Sequence, residues 1–129
     1  MLAAFGFLNI CGVNKIFQKG HKMSDLATAL FNPKAIALIG ASSDGKKNSG
    51  RPQRYLNEHG FTGKIYPVNP FHNTIQGLPA YKSVSEIEGP IDHAFLMTPS
   101  ETVGELLIEC AAKGASVATI YSDGFAETG

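Results

Sequence analysis

Ala35-Ile36-Ala37-Leu38-Ile39-Gly40-Ala41-Ser42-Ser43-Asp44-Gly45 is the stretch that decides the fold. Five consecutive apolar residues suit a strand buried on both faces, as in a parallel sheet with helices on either side. Gly40 closes the run and allows a tight turn. A polar loop over residues 41–50 follows, then a helix from about Arg51 to His59. Ser49 is its expected cap, Pro52 lies in its first turn and Gly60 stands just past its end.

Working outward, Lys64-Ile65-Tyr66-Pro67-Val68 reads as a second strand that stops at Asn69-Pro70, and its internal proline argues for an edge or a strand end. Residues 71–81 hold Gly77 and Pro79 and read as a loop with a short strand. Ser83-Val84-Ser85-Glu86 has capping-box spacing ahead of a one- or two-turn helix. His93-Ala94-Phe95-Leu96-Met97 is a third strand. Thr98-Pro99-Ser100-Glu101 opens the most regular helix, in which Val103, Leu106, Leu107, Cys110 and Ala111 share one face. Thr98 and Ser100 are its candidate caps. Residues 116–121 form the next strand, followed by Ser122-Asp123-Gly124-Phe125. Upstream, Ser24 is expected to cap a helix over residues 25–31, stopped by Asn32-Pro33. The alternation implies right-handed crossovers and an α/β, Rossmann-like three-layer sandwich with a mainly parallel sheet.

The 129 residues suit one domain, and 43% of them are apolar. Eleven basic and eleven acidic residues leave no net charge, so duplex nucleic acid and acidic membrane surfaces are not expected partners. Cys11 and Cys110 make no disulfide framework, and Cys110 reads as a buried reduced thiol. No metal-ligand spacing is present, and His59, His72 and His93 do not build a site. His59 is expected at a helix C-terminus and His72 in a loop near the candidate site. Residues 1–22 are expected to be an extension without fixed structure, or else a helix covering exposed sheet. They are too short and too weakly basic for a membrane span or secretory signal, which leaves a cytoplasmic location. A helix is expected after the last strand, so the chain reads as a fragment of a larger protein.

Ligands of such sheets bind beyond the carboxyl ends of the strands. Four turns are expected there: Gly40-Ala41-Ser42-Ser43, Asn69-Pro70, Thr98-Pro99-Ser100 and Ser122-Asp123-Gly124. Small residues let a ligand approach the backbone, and free amides can hold phosphate. Lys46, Lys47 and Arg51 could add charge, with Arg51 the preferred contact. The NAD fingerprint is missing, because Ser42 stands where the middle glycine belongs and Asn69 where the ribose-binding acid belongs. Asn69 is a candidate for a direct hydrogen bond to ribose or adenine. Gly40→Val is expected to block the phosphate path while retaining the fold.

The runs Phe31-Asn32-Pro33-Lys34-Ala35-Ile36-Ala37-Leu38-Ile39-Gly40-Ala41-Ser42, Gly63-Lys64-Ile65-Tyr66-Pro67-Val68-Asn69-Pro70 and Ser122-Asp123-Gly124-Phe125-Ala126-Glu127-Thr128-Gly129 resemble the CoA-binding domain of ADP-forming acyl-CoA synthetases. This domain is similar to the N-terminal part of the succinyl-CoA synthetase alpha subunit and occurs in protein lysine acetyltransferases. The resemblance implies that coenzyme A lies across the four turns and that the domain supplies binding but no catalytic group. It also implies that the phosphohistidine and ATP-grasp parts lie in other domains or subunits, with a homo-oligomer possible. A CoA-sensing regulatory module and a non-catalytic subunit-contact domain are the alternatives. The chain departs from the family pattern in the Asp44-to-Gly50 loop, at Phe71-His72-Asn73 and at Asp123.

Overall fold

The computed structural model describes residues 2–4 and 23–121. Its main sheet has five strands: β1 (Leu2–Ala4), β2 (Ala35–Ile39), β3 (Lys64–Val68), β6 (His93–Leu96) and β7 (Val117–Ile120). The spatial order is β1-β7-β6-β2-β3. The last four are parallel, and β1 adds an antiparallel border against β7. That border strand falls within residues 1–22, where no strand was expected; the rest of that segment lies outside the described residues. Three helices flank the sheet: α1 (Met23–Phe31), α2 (Arg51–Glu58) and α3 (Ser100–Ala112). A small hairpin, β4 (Thr74–Ile75) and β5 (Leu78–Pro79), and a 3-10 turn (Val84–Glu86) fill the crossover between β3 and β6.

The apolar run becomes β2 with the expected bounds because every one of its residues is buried. Alternate side chains point to opposite faces. Ala37 and Ile39 join Leu96, Ile120, Leu107 and Cys110 under α3. Ile36 and Leu38 face Ile75, Leu56 and Phe61 beneath α2 and the hairpin. Beside them, Leu26 and Ala29 of α1 pack on Val117. These are the three layers, and truncating a side chain as enclosed as Leu38 costs about 2–5 kcal/mol.

β3 is a border strand, as Pro67 suggested. The Pro67 carbonyl faces outward and accepts the Tyr81 amide at 2.9 Å, so the missing N–H of the imide lies on the side that needs no ladder partner.

At four helix starts the expected cap is not used. Gly50 is the N-cap of α2, and no side chain bonds that terminus; Ser49 instead offers its carbonyl to the Ser42 amide. Pro99 is the N-cap of α3, which places Ser100 inside the first turn and Thr98 ahead of it. Ser83 precedes its 3-10 turn without capping it, and the Glu86 carboxylate takes the Lys82 amide. Helix α1 starts at Met23, so Ser24 lies in its first turn. His59 closes α2 as expected, with Nδ1 at 2.9 Å from the Tyr55 carbonyl.

Two buried titratable groups belong to the framework. Burial pushes the Cys110 thiol up to about 12, aided by the Glu109 charge, so it carries no thiolate near neutral pH. His93 is 4% exposed, and its Nε2 lies 2.7 Å from Thr119 Oγ1. Burial lowers it to about 4, against an opposing hydrogen bond to the Ala29 backbone.

Candidate functional site

Parallel pairing sets the strand ends in one row. Val68 is opposite Ile39, Ile39 is opposite Leu96, and Leu96 is opposite Ile120. The turns that leave β2, β3 and β6 therefore meet at one edge. Strand order reverses at β2, which has β3 on one side and β6 on the other; this switch point is where doubly wound sheets open a crevice.

Gly40 stands at that point with φ +84°, and its amide donates to the Val68 carbonyl at 2.9 Å. A Cβ here would sit 2.4 Å from the Met97 carbonyl oxygen and 3.1 Å from Thr98 Cγ2. The turn of β2 thus rests directly on the end of β6. This corrects the expectation for Gly40→Val, because a branched residue would strain the fold itself and not only obstruct a ligand.

Ala41 is fully buried, and its carbonyl accepts Asn69 Nδ2 at 3.0 Å. Asn69 Oδ1 accepts the Phe71 amide at 2.9 Å. Both ends of the Asn69 amide are therefore engaged within the protein, and the side chain acts as a brace between two turns. Ser42 is bound on three sides: its amide donates to Ser49, its hydroxyl accepts the Asp44 amide, and its carbonyl accepts Gln76 Nε2. Ser43 is exposed and makes no hydrogen bond with any described residue. Its amide and hydroxyl are open to a ligand.

Charge around this turn is mainly positive. Lys46, Lys47 and Arg51 are exposed. The single acid of the loop, Asp44, is exposed too, and its Oδ1 accepts the Lys46 amide at 2.9 Å. Pro70 and Pro99 are exposed at the same edge, with Thr98 and Ser100 half-buried beside them. Neither hydroxyl caps α3. Ser122, Asp123 and Gly124 lie outside the described residues.

A cavity lies beside this edge. A cleft of about 960 Å³ runs along α2 and over β6, lined by Arg51, Tyr55, His59, Phe61, Phe95 and Tyr121 among others. It shares only Arg51 with the expected site. His93, Phe95 and Tyr121 are stacked near its floor, with ring centroids 4.6 Å and 5.9 Å apart. Sequence reasoning also passed over Gln76 and Gln53, which fasten the hairpin to the site. The Gln-Gly pair was the available signal, since Asn-Gly is the common choice for a two-residue hairpin turn.

The family model described as CoA binding domain matches residues 34–128. The chain belongs to that family. It is 46% identical over 99 residues to the alpha subunit of an ADP-forming acetate–CoA ligase, form II, from Pyrococcus furiosus. That match covers 77% of this chain and 21% of the relative. It is 41% identical over 97 residues to an ADP-forming acetate–CoA ligase from Methanocaldococcus jannaschii, covering 75% of this chain and 14% of the relative. Among solved structures, a dinucleotide-forming acetyl-coenzyme A synthetase from Ca. Korarchaeum cryptofilum, in complex with phosphate and ADP, superimposes with a TM-score of 0.71 at 38% identity. That match covers 79% of this chain and 22% of the other. The CoA-binding domain described here thus spans about a fifth or less of the length of these relatives.

Coenzyme A is the cofactor of this family, and the residues present fit its anionic end. Ser43 offers an unspent amide, and three cations border the turn. Among the described residues, no group of three potential metal ligands occurs, and no helix is long and apolar enough to cross a membrane.

Proposed function

We propose that this domain holds the diphosphate of coenzyme A at the turn of residues 40–43 and serves a nucleotide-dependent acid–CoA ligase as its CoA-binding part. The observation that carries this reading is the Ser43 peptide, exposed and unspent at the switch point of the sheet. A peptide N–H in such a place is a ready donor to phosphate oxygen, and neighbouring cations strengthen the attraction. Arg51 at the start of α2 and Lys46 and Lys47 in the loop supply that charge. Pro70 and Pro99 offer rigid apolar surfaces on either side of β2 for the adenine and pantetheine ends. Bound CoA supplies a thiol that accepts an acyl group. The domain's own residues bind and orient; the acyl-activating chemistry belongs to other parts of the ligase.

A thermal-shift comparison of CoA, dephospho-CoA, NAD and ATP tests this. A ligand that binds only the folded state at a hundredfold excess over Kd adds about 2.7 kcal/mol of stability. CoA should raise the midpoint well above the effect of NAD. Stabilisation by NAD without stabilisation by CoA would sink the reading.

A further inference from the structure

We infer that Gln76 is a positioning residue that aims the Ser43 amide at the diphosphate; this rests on the CoA reading above. Gln76 is the one described non-glycine residue with positive φ, at +47°, and Gly77 follows at +83°. Together they form the turn of the β4–β5 hairpin, between the paired residues Ile75 and Leu78. A long side chain is a poor choice for the first position of such a turn, where asparagine or glycine adopts the left-handed region more readily. Backbone strain of this kind persists where the surroundings over-determine it, and it marks residues worth explaining.

The side chain gives the explanation. Gln76 Nε2 donates to the Ser42 carbonyl at 2.9 Å and to the Gly50 carbonyl at 3.0 Å. Ser42 and Gly50 stand at the two ends of the glycine-bearing loop, so one amide group draws both ends together. In a planar trans peptide, the carbonyl and the following N–H point in opposite directions. Holding the Ser42 oxygen against Gln76 therefore turns the Ser43 N–H away from the hairpin. The hairpin is itself anchored, because Gln53 of α2 is fully buried and its Nε2 donates to the Ile75 carbonyl at 2.9 Å. The chain of support runs from α2 through Gln53 to the hairpin, and from Gln76 to the turn. It fixes the direction of a donor that Gln76 never touches.

The test uses the full chain with Gln76→Gly, which removes the amide group and relieves the unfavourable φ. Isothermal titration compares CoA with adenosine 3′-monophosphate, which carries no phosphate on the 5′ side. The expected result is a melting temperature at or above that of the parent and a CoA Kd raised about tenfold or more, the scale of one well-made hydrogen bond. The Kd for the 3′-monophosphate should move by less than about twofold, because it has no phosphate to place against the Ser43 amide. In NMR spectra, the Ser43 amide resonance should shift with CoA in the parent and lose most of that shift in the variant. An unchanged CoA Kd, or equal weakening of both ligands, would overturn the inference. Gln76→Asn, which tolerates the same φ but is one methylene too short to span both carbonyls, should behave alike and covers the case in which the glycine variant fails to fold. Absence of CoA binding by the parent protein would overturn the CoA reading, and this inference with it, before any variant is made.

Discussion

At the edge where the strands begin, Asp92 accepts hydrogen bonds from the amides of Lys34 and Ala35, at 2.8 and 3.1 Å. At the edge where they end, Asn69 and Gln76 donate to the carbonyls of Ala41, Ser42 and Gly50. The first arrangement spends backbone N–H groups on a carboxylate, and the second spends carbonyls on side-chain amides. What remains unspent differs accordingly: the amino edge offers an acid and satisfied amides, whereas the carboxyl edge offers the free amide of Ser43. A cavity at the amino edge is lined by Lys34, Lys64 and Asp92 among others, so cations occur at both edges. Positive side chains alone therefore do not distinguish them. The direction of the braced peptides does.

The largest effect is expected from Gly40→Val, where φ +84° and the 2.4 Å approach to Met97 oxygen both forbid a branched side chain. Denaturant unfolding should show a loss of about 3 kcal/mol or more, with no stable variant left for ligand titration. Between the two edges, His93 should make the fold acid-sensitive. Its folded value of about 4 lies below its ordinary 6.5, so the unfolded chain takes up the proton first. Its contribution is complete above pH 6.5 and is lost as pH falls toward 4, by at most about 3 kcal/mol. Denaturation midpoints measured across that range should fall in the parent and fall less in His93→Gln.

The next two variants separate the edges directly. Asp92→Ala should cost about 1–3 kcal/mol of stability, because two amides lose a charged acceptor, while CoA affinity stays the same within about twofold. Asn69→Asp should cost less stability, about 1 kcal/mol, yet weaken CoA about tenfold or more, because an acceptor and a negative charge then face the Ala41 carbonyl beside an anionic ligand. Equal effects of the two changes on CoA binding would erase the distinction between the edges. The smallest effect belongs to Lys46→Ala, within about 0.5 kcal/mol in stability, with a weakening of CoA that fades at high salt.

Much of the fold was legible because its signals are local. Ala35–Ile39 and Lys64–Val68 are apolar runs ended by Gly40 and by Asn69-Pro70, and their bounds held to the residue. The helix over Ser100–Ala112 followed from its apolar face. Of the candidate site, the meeting of the turns after β2, β3 and β6 at one edge was legible, since parallel strands end together. Its internal wiring was not. Asn69 and Ala41 are 28 positions apart, and Gln76 and Ser42 are 34 apart. Such bonds depend on tertiary placement and leave no local pattern. The same reason explains why Ser49, Ser83 and Thr98 do not cap: the tertiary path of the loops set where each helix begins, and side-chain chemistry at those positions was left without that task. β1 was missed because three residues, Leu-Ala-Ala, carry no periodicity.

The outer margin formed by β3 has one more consequence. Pro67 has no N–H to present there, its carbonyl is already taken by Tyr81, and the Asn69 amide is bonded to the Tyr81 carbonyl. At the opposite margin, β7 is shielded by β1. A neighbouring molecule approaching β3 thus finds few backbone groups with which to continue the ladder. In a crowded solution the protein is guarded on that side against the edge-to-edge strand pairing that leads to fibrous aggregates.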